Sequence, residues 1–188
     1  MEFIFNVRKA VAAAAYLCAR SGGEADLLCL VKMLYAGDRT AIRQWHRSIT
    51  GDRFFSMDNG PVVSRIYDLM RSRVSGSDMK AWDKVFEPRD ENTIRLRDIK
   101  EVNTDPLSQR EEEVLDAAFE MVTKLRKEHA GYDFIIALHK VFPEWEDPKG
   151  SSILIEPSKI LRFDLDDDAI AKIAKEVESA DTARVAFE

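Results

Sequence analysis

The sequence has few of the residues that form disulfides or bind metals, with only two cysteines and three histidines among 188 residues. Cys18 and Cys29 lie in apolar helical patterns without a CxxC or metal-ligand spacing, so we expect small buried hydrophobic side chains. The histidines are scattered and form no HExxH motif. The sequence therefore predicts no metal site and no cofactor, and unpaired cysteines fit a cytoplasmic protein.

Long hydrophobic runs are also lacking. No apolar stretch approaches the roughly 20 residues that span a bilayer, so we expect no membrane partner. The segment MEFIFNVRKAVAAAAYLCARSGG has an apolar middle, as a signal peptide does. However, Glu2 and Phe3 stand where a signal peptide is basic, and the apolar residues repeat at helical spacing. We therefore interpret this segment as a core helix of the mature protein.

Charge is unevenly distributed. The net charge is -6, but basic residues outnumber acidic ones over residues 1–80, and the remainder is strongly acidic. An acidic chain is a poor nucleic-acid binder as a whole, although a basic face on the first half could meet an anionic partner. The length and the 45% apolar content fit one domain.

Helical periodicity dominates the chain. It predicts a first helix from Val7, a second from near Glu24 that Gly37 either breaks or packs closely, and a third that begins at Pro61. Ser108 and Glu111 form a capping box before the clearest helical pattern. Further helices are predicted at 79–86, at 132–141 and after the acidic run 164–168, with a loose tail beyond Ser179.

Extended structure is predicted at three places. Residues 49–57 are predicted to form a short hairpin around Gly51 and Asp52 or a pair of extended arms, and Asp58-Asn59-Gly60 supplies turn residues at the end of this segment. The segments TIRLR (93–97) and SSILIEP (151–157) are strand-like, with a polar loop PRDEN (88–92) before the first. The fold class predicted is α+β, mainly α: seven or eight helices with a small β-hairpin or sheet element.

The sequence contains no complete catalytic or ligand-binding motif. Asp164, Asp166 and Asp168 resemble the start of a calcium loop, but Ala169 and Lys175 occupy the positions that need Gly and Glu. Ser21-Gly22-Gly23 lacks the lysine and spacing of a phosphate loop. The set Ser48, His46 and Asp52 supplies the residue types of a nucleophilic triad without an elbow motif. We therefore predict no catalytic residue and no enzyme activity.

A cluster of basic residues near the second helix has two interpretations. Its members are Arg39, Arg43, His46, Arg47 and Arg53, interleaved with Trp45, Phe54 and Phe55. They could form a basic face with stacking platforms for nucleic-acid bases. The simpler alternative, which we favour, pairs Arg39 with Asp38 and Arg53 with Asp52 while the aromatic side chains pack inside.

Asp52-Arg53 also has two interpretations. In a tight turn, the carboxylate can accept backbone N–H groups and the guanidinium can pair with a planar anion. The simpler role is to brace the hairpin against neighbouring helices. The other role is to contact an acidic segment of a partner.

Several segments in fixed order resemble a known family. They are KMLYAGDR (32–39), ITGDRFFSMDNGPV (49–62) and SRIYDLM (64–70), with LSQREEEVLDAAF (107–119) and ALHKVFPEWEDP (137–148) farther on. These resemble the Panacea domain of the SocA-like antitoxin family of bacteria and phages. The resemblance covers residues 7–161, which we take as the core of a single domain 1–188, with residues 162–188 as a C-terminal helix and tail.

The resemblance implies an antitoxin that binds a cognate toxin protein, and one branch of the family is implied to deliver its toxin to a protease. It supplies no catalytic residue. The residue types suited to partner binding are aromatic and arginine anchors. The predicted partner-binding residues are Arg43, Trp45, Asp52, Arg53, Phe55 and Trp82. The alternative function is a nucleic-acid-binding regulator that uses the basic N-terminal half.

Overall fold

The structure is a computed structural model that describes residues 1–87 and 92–186, with side chains described through residue 180. Its fold is α+β and mainly α, as predicted. The helices of the described ranges are α1 (Val7–Arg20), α2 (Leu27–Trp45), α3 (Ser64–Met70), α4 (Ser77–Asp83), α5 (Gln109–Glu128), α6 (Tyr132–Val141), α7 (Pro157–Leu161) and α8 (Asp167–Ala186), with a 3-10 turn at Ile99–Glu101. The strands are β1 (Glu24–Asp26), β2 (Phe54–Met57), β3 (Gly60–Val63), β4 (Thr93–Arg95) and β5 (Ile153–Ile155).

Helix α2 lies at the centre of the fold, and its residues from Cys29 to Asp38 are all buried. It begins at Leu27, where the Asp26 side chain accepts the Cys29 N–H, so the predicted start near Glu24 is wrong. The helix does not break at Gly37. A Cβ there would lie 2.8 Å from Leu115 Cδ2, which confirms the alternative that α5 packs closely against this backbone.

Two small antiparallel sheets flank the helices. The three-stranded sheet has the order β3-β2-β5, and β1 pairs with β4. The hairpin consists of β2 and β3 around Asp58 and Asn59, not of residues on either side of Gly51. Pro61 lies in β3 opposite Ser56, so the prediction that Pro61 begins a helix is wrong. An edge strand tolerates proline because its outer N–H groups need no partner.

Other sequence predictions are confirmed. The Ser108–Glu111 capping box is formed, α6 has the predicted bounds, and both segments TIRLR and SSILIEP contain a strand. Cys18 and Cys29 are free and buried. Helix α8 buries Ile170, Ile173 and Val177 as expected, and it continues past Ser179 to Ala186. Most of the predicted loop 88–92 lies outside the described residues.

Candidate functional site

Two arginines of α2, which belong to the alternative interpretation as a basic face, are held by carboxylates. Arg39 Nε and Nη2 donate to Glu144 at 2.7 and 3.2 Å, and Tyr35 OH donates to the same carboxylate at 2.6 Å. Glu144 is fully buried. Burial of Tyr35, and then the charge of Glu144, raise the pKa of Tyr35 well above the usual value. The predicted pairing of Arg39 with Asp38 is therefore wrong.

Arg43, a predicted partner-binding residue, forms a two-point ion pair with Asp164 at 2.5 and 2.6 Å. This pair lowers the pKa of Asp164 and raises that of Arg43. The neighbouring Trp45 is half-buried, with the Arg110 guanidinium 4.1 Å from its ring centroid. Both residues therefore lie at the C-terminal end of α2 in contacts within the chain.

Asp38 organises the loop that follows α2. Its buried carboxylate accepts the Ile49 N–H at 2.6 Å, the Thr50 N–H at 3.0 Å and the hydroxyls of Ser48 and Thr50. Burial raises the pKa of Asp38, and these donors oppose the rise. Because Ser48 donates to Asp38, the set Ser48, His46 and Asp52 does not form a nucleophilic triad.

Asp52 caps α3 from outside the helix. Its Oδ1 accepts the N–H groups of Arg53 and Arg65 at 2.7 and 2.9 Å, and Oδ2 accepts that of Ile66 at 2.9 Å. The helix has no side-chain cap at Val63, so Asp52 serves in its place. Burial raises the pKa of Asp52 to about 6, although the three donors act in the opposite direction. The bracing role is confirmed, and the predicted Arg53–Asp52 side-chain pair is wrong.

The remaining predicted residues occupy different environments. Trp82 is buried at 3% exposure, where it stacks on Phe86 with centroids 4.0 Å apart. Asp52 is equally buried, so neither side chain presents a surface to a partner. Arg53 is exposed, and its guanidinium lies 5.6 Å from the centroid of the half-buried Phe55 ring.

Phe55 belongs to the outer surface of the three-stranded sheet. Phe54 packs inward against Tyr35, so strand alternation directs Phe55 and Met57 to the opposite face. Val62 and Leu154 lie directly opposite Phe55 on the two neighbouring strands. We call the apolar surface of the half-buried Phe55, Met57 and Leu154, with the buried Val62 beneath them, the hairpin face.

Three arginines and one tyrosine border the hairpin face. Tyr67 of α3 lies beside it in the same groove, with the guanidinium carbons of Arg71 and Arg73 at 5.2 and 5.9 Å from its ring centroid. In the described ranges, no ion pair is found for Arg53, Arg71 or Arg73. This border is thus cationic, with Asp68 as the acidic residue in the groove.

Sequence reasoning missed Lys32, Tyr67, Arg71 and Arg73. Lys32 is fully buried, and its Nζ donates to the Pro61 carbonyl oxygen at 2.7 Å. Burial of the charge lowers its pKa well below the usual value. The available signal was the run Cys29–Gly37, which is apolar all round except at this lysine, as expected of a helix surrounded by protein.

The described residues hold neither a cluster of metal ligands nor a membrane-spanning helix. Within residues 1–87 and 92–186, no group of three or more His, Cys, Asp or Glu side chains is placed to hold a metal ion. In the same ranges, no helix is both long and apolar enough to cross a bilayer. Among the described residues, the apolar hairpin face and its cationic border are a surface that could contact another macromolecule.

Comparison with known proteins gives one match. The family model described as antitoxin SocA-like, Panacea domain, matches residues 30–140, which is more than half of the chain and includes most of α2, the hairpin and α3. No curated protein and no solved structure matches the chain significantly. On the strength of the family match, this chain belongs to the SocA-like antitoxin family and carries its Panacea domain.

Proposed function

We propose that this chain is a non-enzymatic antitoxin that neutralises a cognate toxin protein by binding it directly through the hairpin face. The observation that carries the proposal is the combination of an apolar strand surface with Arg53, Arg71 and Arg73, which have no ion-pair partner among the described residues. Aromatic and arginine side chains dominate binding energy at protein interfaces.

The charge pattern supports an acidic partner segment. Arg39 and Arg43 are neutralised by Glu144 and Asp164, whereas the arginines around the hairpin face are not. Unpaired surface charges steer association and select a partner of opposite charge. We further infer that the chain acts in the cytoplasm as a single domain of residues 1–188, with its core over 7–161.

The test is co-expression with the product of the neighbouring gene as the candidate toxin, scored by growth rescue and by co-purification. We expect Phe55→Ala to weaken binding about 30-fold or more, because truncating an aromatic hot-spot residue at an interface costs about 2 kcal/mol or more. Tyr132→Ala is the matched control, since Tyr132 is an aromatic residue of α6 that is 72% exposed and outside the hairpin face. Equal effects of the two substitutions would refute the hairpin face as the binding surface.

Neutralisation has two forms, inhibition by binding and delivery to a protease, and the amount of toxin separates them. Direct inhibition leaves the toxin level unchanged after its synthesis is stopped, whereas an adaptor shortens the toxin half-life in cells that contain the protease. We propose direct inhibition as the primary form. A toxin that disappears only when this chain is present would establish the adaptor form instead.

The alternative is a nucleic-acid-binding regulator, favoured by the stacking of Arg53 on Phe55 and of Arg71 and Arg73 on Tyr67. Single-stranded nucleic acid uses the same residue types. Of the five residues of the predicted basic face, however, Arg39 and Arg43 are engaged in ion pairs. Affinity for a single-stranded oligonucleotide that falls steeply with added salt would support this alternative. Absence of binding at low salt would remove it.

A further inference from the structure

The two edges of the three-stranded sheet differ in how their backbone groups are satisfied. The order β3-β2-β5 makes β3 one edge and β5 the other. All four residues of β3 are buried, and α2 packs against this strand. At the opposite edge, Ile153 is exposed and Leu154 is half-buried. The β5 edge is therefore accessible to another chain.

Pro61 determines which backbone groups of the sheet point outward. Opposite residues of an antiparallel pair alternate between pairs that exchange hydrogen bonds and pairs that do not. Because proline has no N–H, the pair of Pro61 with Ser56 is one that does not. The Pro61 carbonyl therefore points away from β2, and Lys32 Nζ donates to it at 2.7 Å. The β3 edge is thus closed at this position.

The same alternation directs the Leu154 backbone outward. Phe55 is next to Ser56 in β2, so it exchanges hydrogen bonds with Val62, and its N–H and C=O point to β3. Leu154 lies opposite Phe55, so the N–H and C=O of Leu154 point away from β2. Two residues farther on, Glu156 is extended, with φ -67° and ψ 138°, which directs its N–H to the same edge.

In the part of the chain that the structure describes, no hydrogen bond is found for the Leu154 N–H and C=O or for the Glu156 N–H. The N-terminal arm, residues 1–5, lies nearby, but the backbone bond that follows it joins the Asn6 N–H to the Thr50 carbonyl. The three residues of β5 include no lysine or proline, and no bulge interrupts their pairing with β2. Such features commonly protect an open edge. The β5 edge therefore keeps unused donors and acceptors.

A groove lies beside the end of β5. Its walls include Met1 and Phe3 of the N-terminal arm, together with Leu154 and Pro157. Arg53, for which no ion pair is found in the described ranges, also lines it. Because side chains alternate along a strand, one added to β5 would direct alternate residues to the hairpin face and to this groove.

We propose that β5 binds an extended segment of the partner toxin as a fourth strand of this sheet, hydrogen-bonded to the Leu154 backbone. An extended backbone presents the alternating donors and acceptors that complement this edge. Leu154 also belongs to the hairpin face, so one bound segment covers both surfaces. The segment carries apolar side chains at alternate positions and an acidic residue near Arg53. This inference rests on the proposed function and specifies how the toxin is bound.

The first measurement is amide hydrogen exchange of the ¹⁵N-labelled full chain, alone and in complex with the unlabelled product of the neighbouring gene. In the free chain, the Leu154 amide should exchange at least about tenfold faster than the Phe55 amide, which is bonded to β3. In the complex, Leu154 should become protected to a similar degree as Phe55. A Leu154 amide that is already as protected as Phe55 in the free chain would overturn the proposal.

The second measurement removes the backbone donor. Leu154→Pro lacks the N–H, and an edge position whose N–H points outward tolerates proline. Leu154→Ala is the matched control, because it also shortens the side chain but keeps the N–H. Leu154→Pro should weaken toxin binding about tenfold or more relative to Leu154→Ala, through the lost hydrogen bond and the block to pairing. Equal affinities of the two variants would show that side chains alone bind the toxin.

A charge on the edge gives a second pair of variants, which decides the question if Leu154→Pro does not fold. Lysine on an edge strand opposes the addition of another strand. Ile153→Lys should weaken toxin binding about tenfold or more, whereas Ile136→Lys of α6 should change it less than about twofold. The two isoleucines are matched in exposure, at 36% and 38%. Equal effects of the two lysines would overturn the proposal.

Failure of this inference and failure of the proposed function give different results. A wild-type chain that neither rescues growth nor co-purifies with the neighbouring product refutes the antitoxin proposal, and toxin binding at β5 falls with it. Rescue by the wild type, with Leu154→Pro and Leu154→Ala equal in affinity, refutes strand addition alone. A free chain that dimerises with rising concentration while Leu154 becomes protected assigns the edge to a second copy and overturns the toxin segment as its occupant.

Discussion

The two ends of α2 differ in how their charges are satisfied. At the C-terminal end, Arg39 and Arg43 each bind a carboxylate supplied from more than 100 residues away in sequence. Toward the N-terminal end, Lys32 has one carbonyl acceptor, and the nearby Arg71 Nε has none among the described residues. One helix thus joins a region of paired charges to a region of unused donors.

This difference separates structural charges from candidate functional ones. A buried ion pair holds distant segments in one arrangement, and breaking it leaves an uncompensated charge. Arg53, Arg71 and Arg73 lie beside aromatic rings at an apolar surface and have no ion-pair partner among the described residues. The proposed function assigns these arginines to the partner. Substitutions at the two ends should accordingly change different properties, stability at one and binding at the other.

The largest expected effect on stability concerns the C-terminal end of α2, where the arginines are paired with carboxylates. Glu144→Ala removes the carboxylate that binds Arg39 and Tyr35, and it should lower the free energy of unfolding by about 3–5 kcal/mol, as loss of one partner from a buried ion pair does. Urea denaturation at pH 7 measures it. Glu146→Ala is the matched control, because the exposed Glu146 pairs with Lys159 at the surface, and its loss should cost less than about 1 kcal/mol. Similar costs for both would show that burial does not distinguish the two pairs.

The next effect concerns the pH dependence of Asp52. Its pKa in the folded state, about 6, lies above the 3.8 of an unperturbed aspartate, so the folded protein takes up this proton first as pH falls. Its stabilising contribution is therefore full below pH 4 and is lost as pH rises through 6. Relative to Asp52→Asn, the wild type should gain up to about 3 kcal/mol in free energy of unfolding as pH falls from 7 to 4.

Urea denaturation of both proteins at matched pH values measures this difference. Asp52→Asn lacks the titrating group and keeps Asp38, whose pKa is also raised, so the comparison isolates Asp52. A wild type that loses stability relative to Asp52→Asn as pH falls would contradict the prediction. It would mean that the three N–H donors from α3 and Arg53 favour the carboxylate more than burial disfavours it.

Local signals account for the parts of the fold that the sequence predicts correctly. The Ser108–Glu111 capping box and the bounds of α6 depend on residues within a few positions of each other. The placement of Pro61 was wrong because proline suits both a first helical turn and an edge strand. Pairing of β3 with β2 decides between them, and that pairing also packs β3 against α2.

The candidate site was predictable only in part. Arg53 and Phe55 were named from residue type alone, and the structure puts them together at the hairpin face. The Arg39–Glu144 pair joins residues that are 105 positions apart, so no local pattern could reveal it. Trp82 was named as a partner-binding residue because aromatic residues suit interfaces, but it is buried and stacks on Phe86 in the core.

The smallest expected effect on stability distinguishes Arg43, which has an ion pair, from Arg53, which has none in the described structure. Arg43→Ala should lower the free energy of unfolding by about 0.2–1 kcal/mol, because its pair with Asp164 is about one-third exposed. Most of this loss should disappear near 1 M salt, where the screening length is about 3 Å. Arg53→Ala should stay within about 0.5 kcal/mol at either salt concentration, since Arg53 has no ion pair in the described structure. A salt-dependent loss in Arg53→Ala would reveal an acidic partner within the chain and would weaken its assignment to the binding surface.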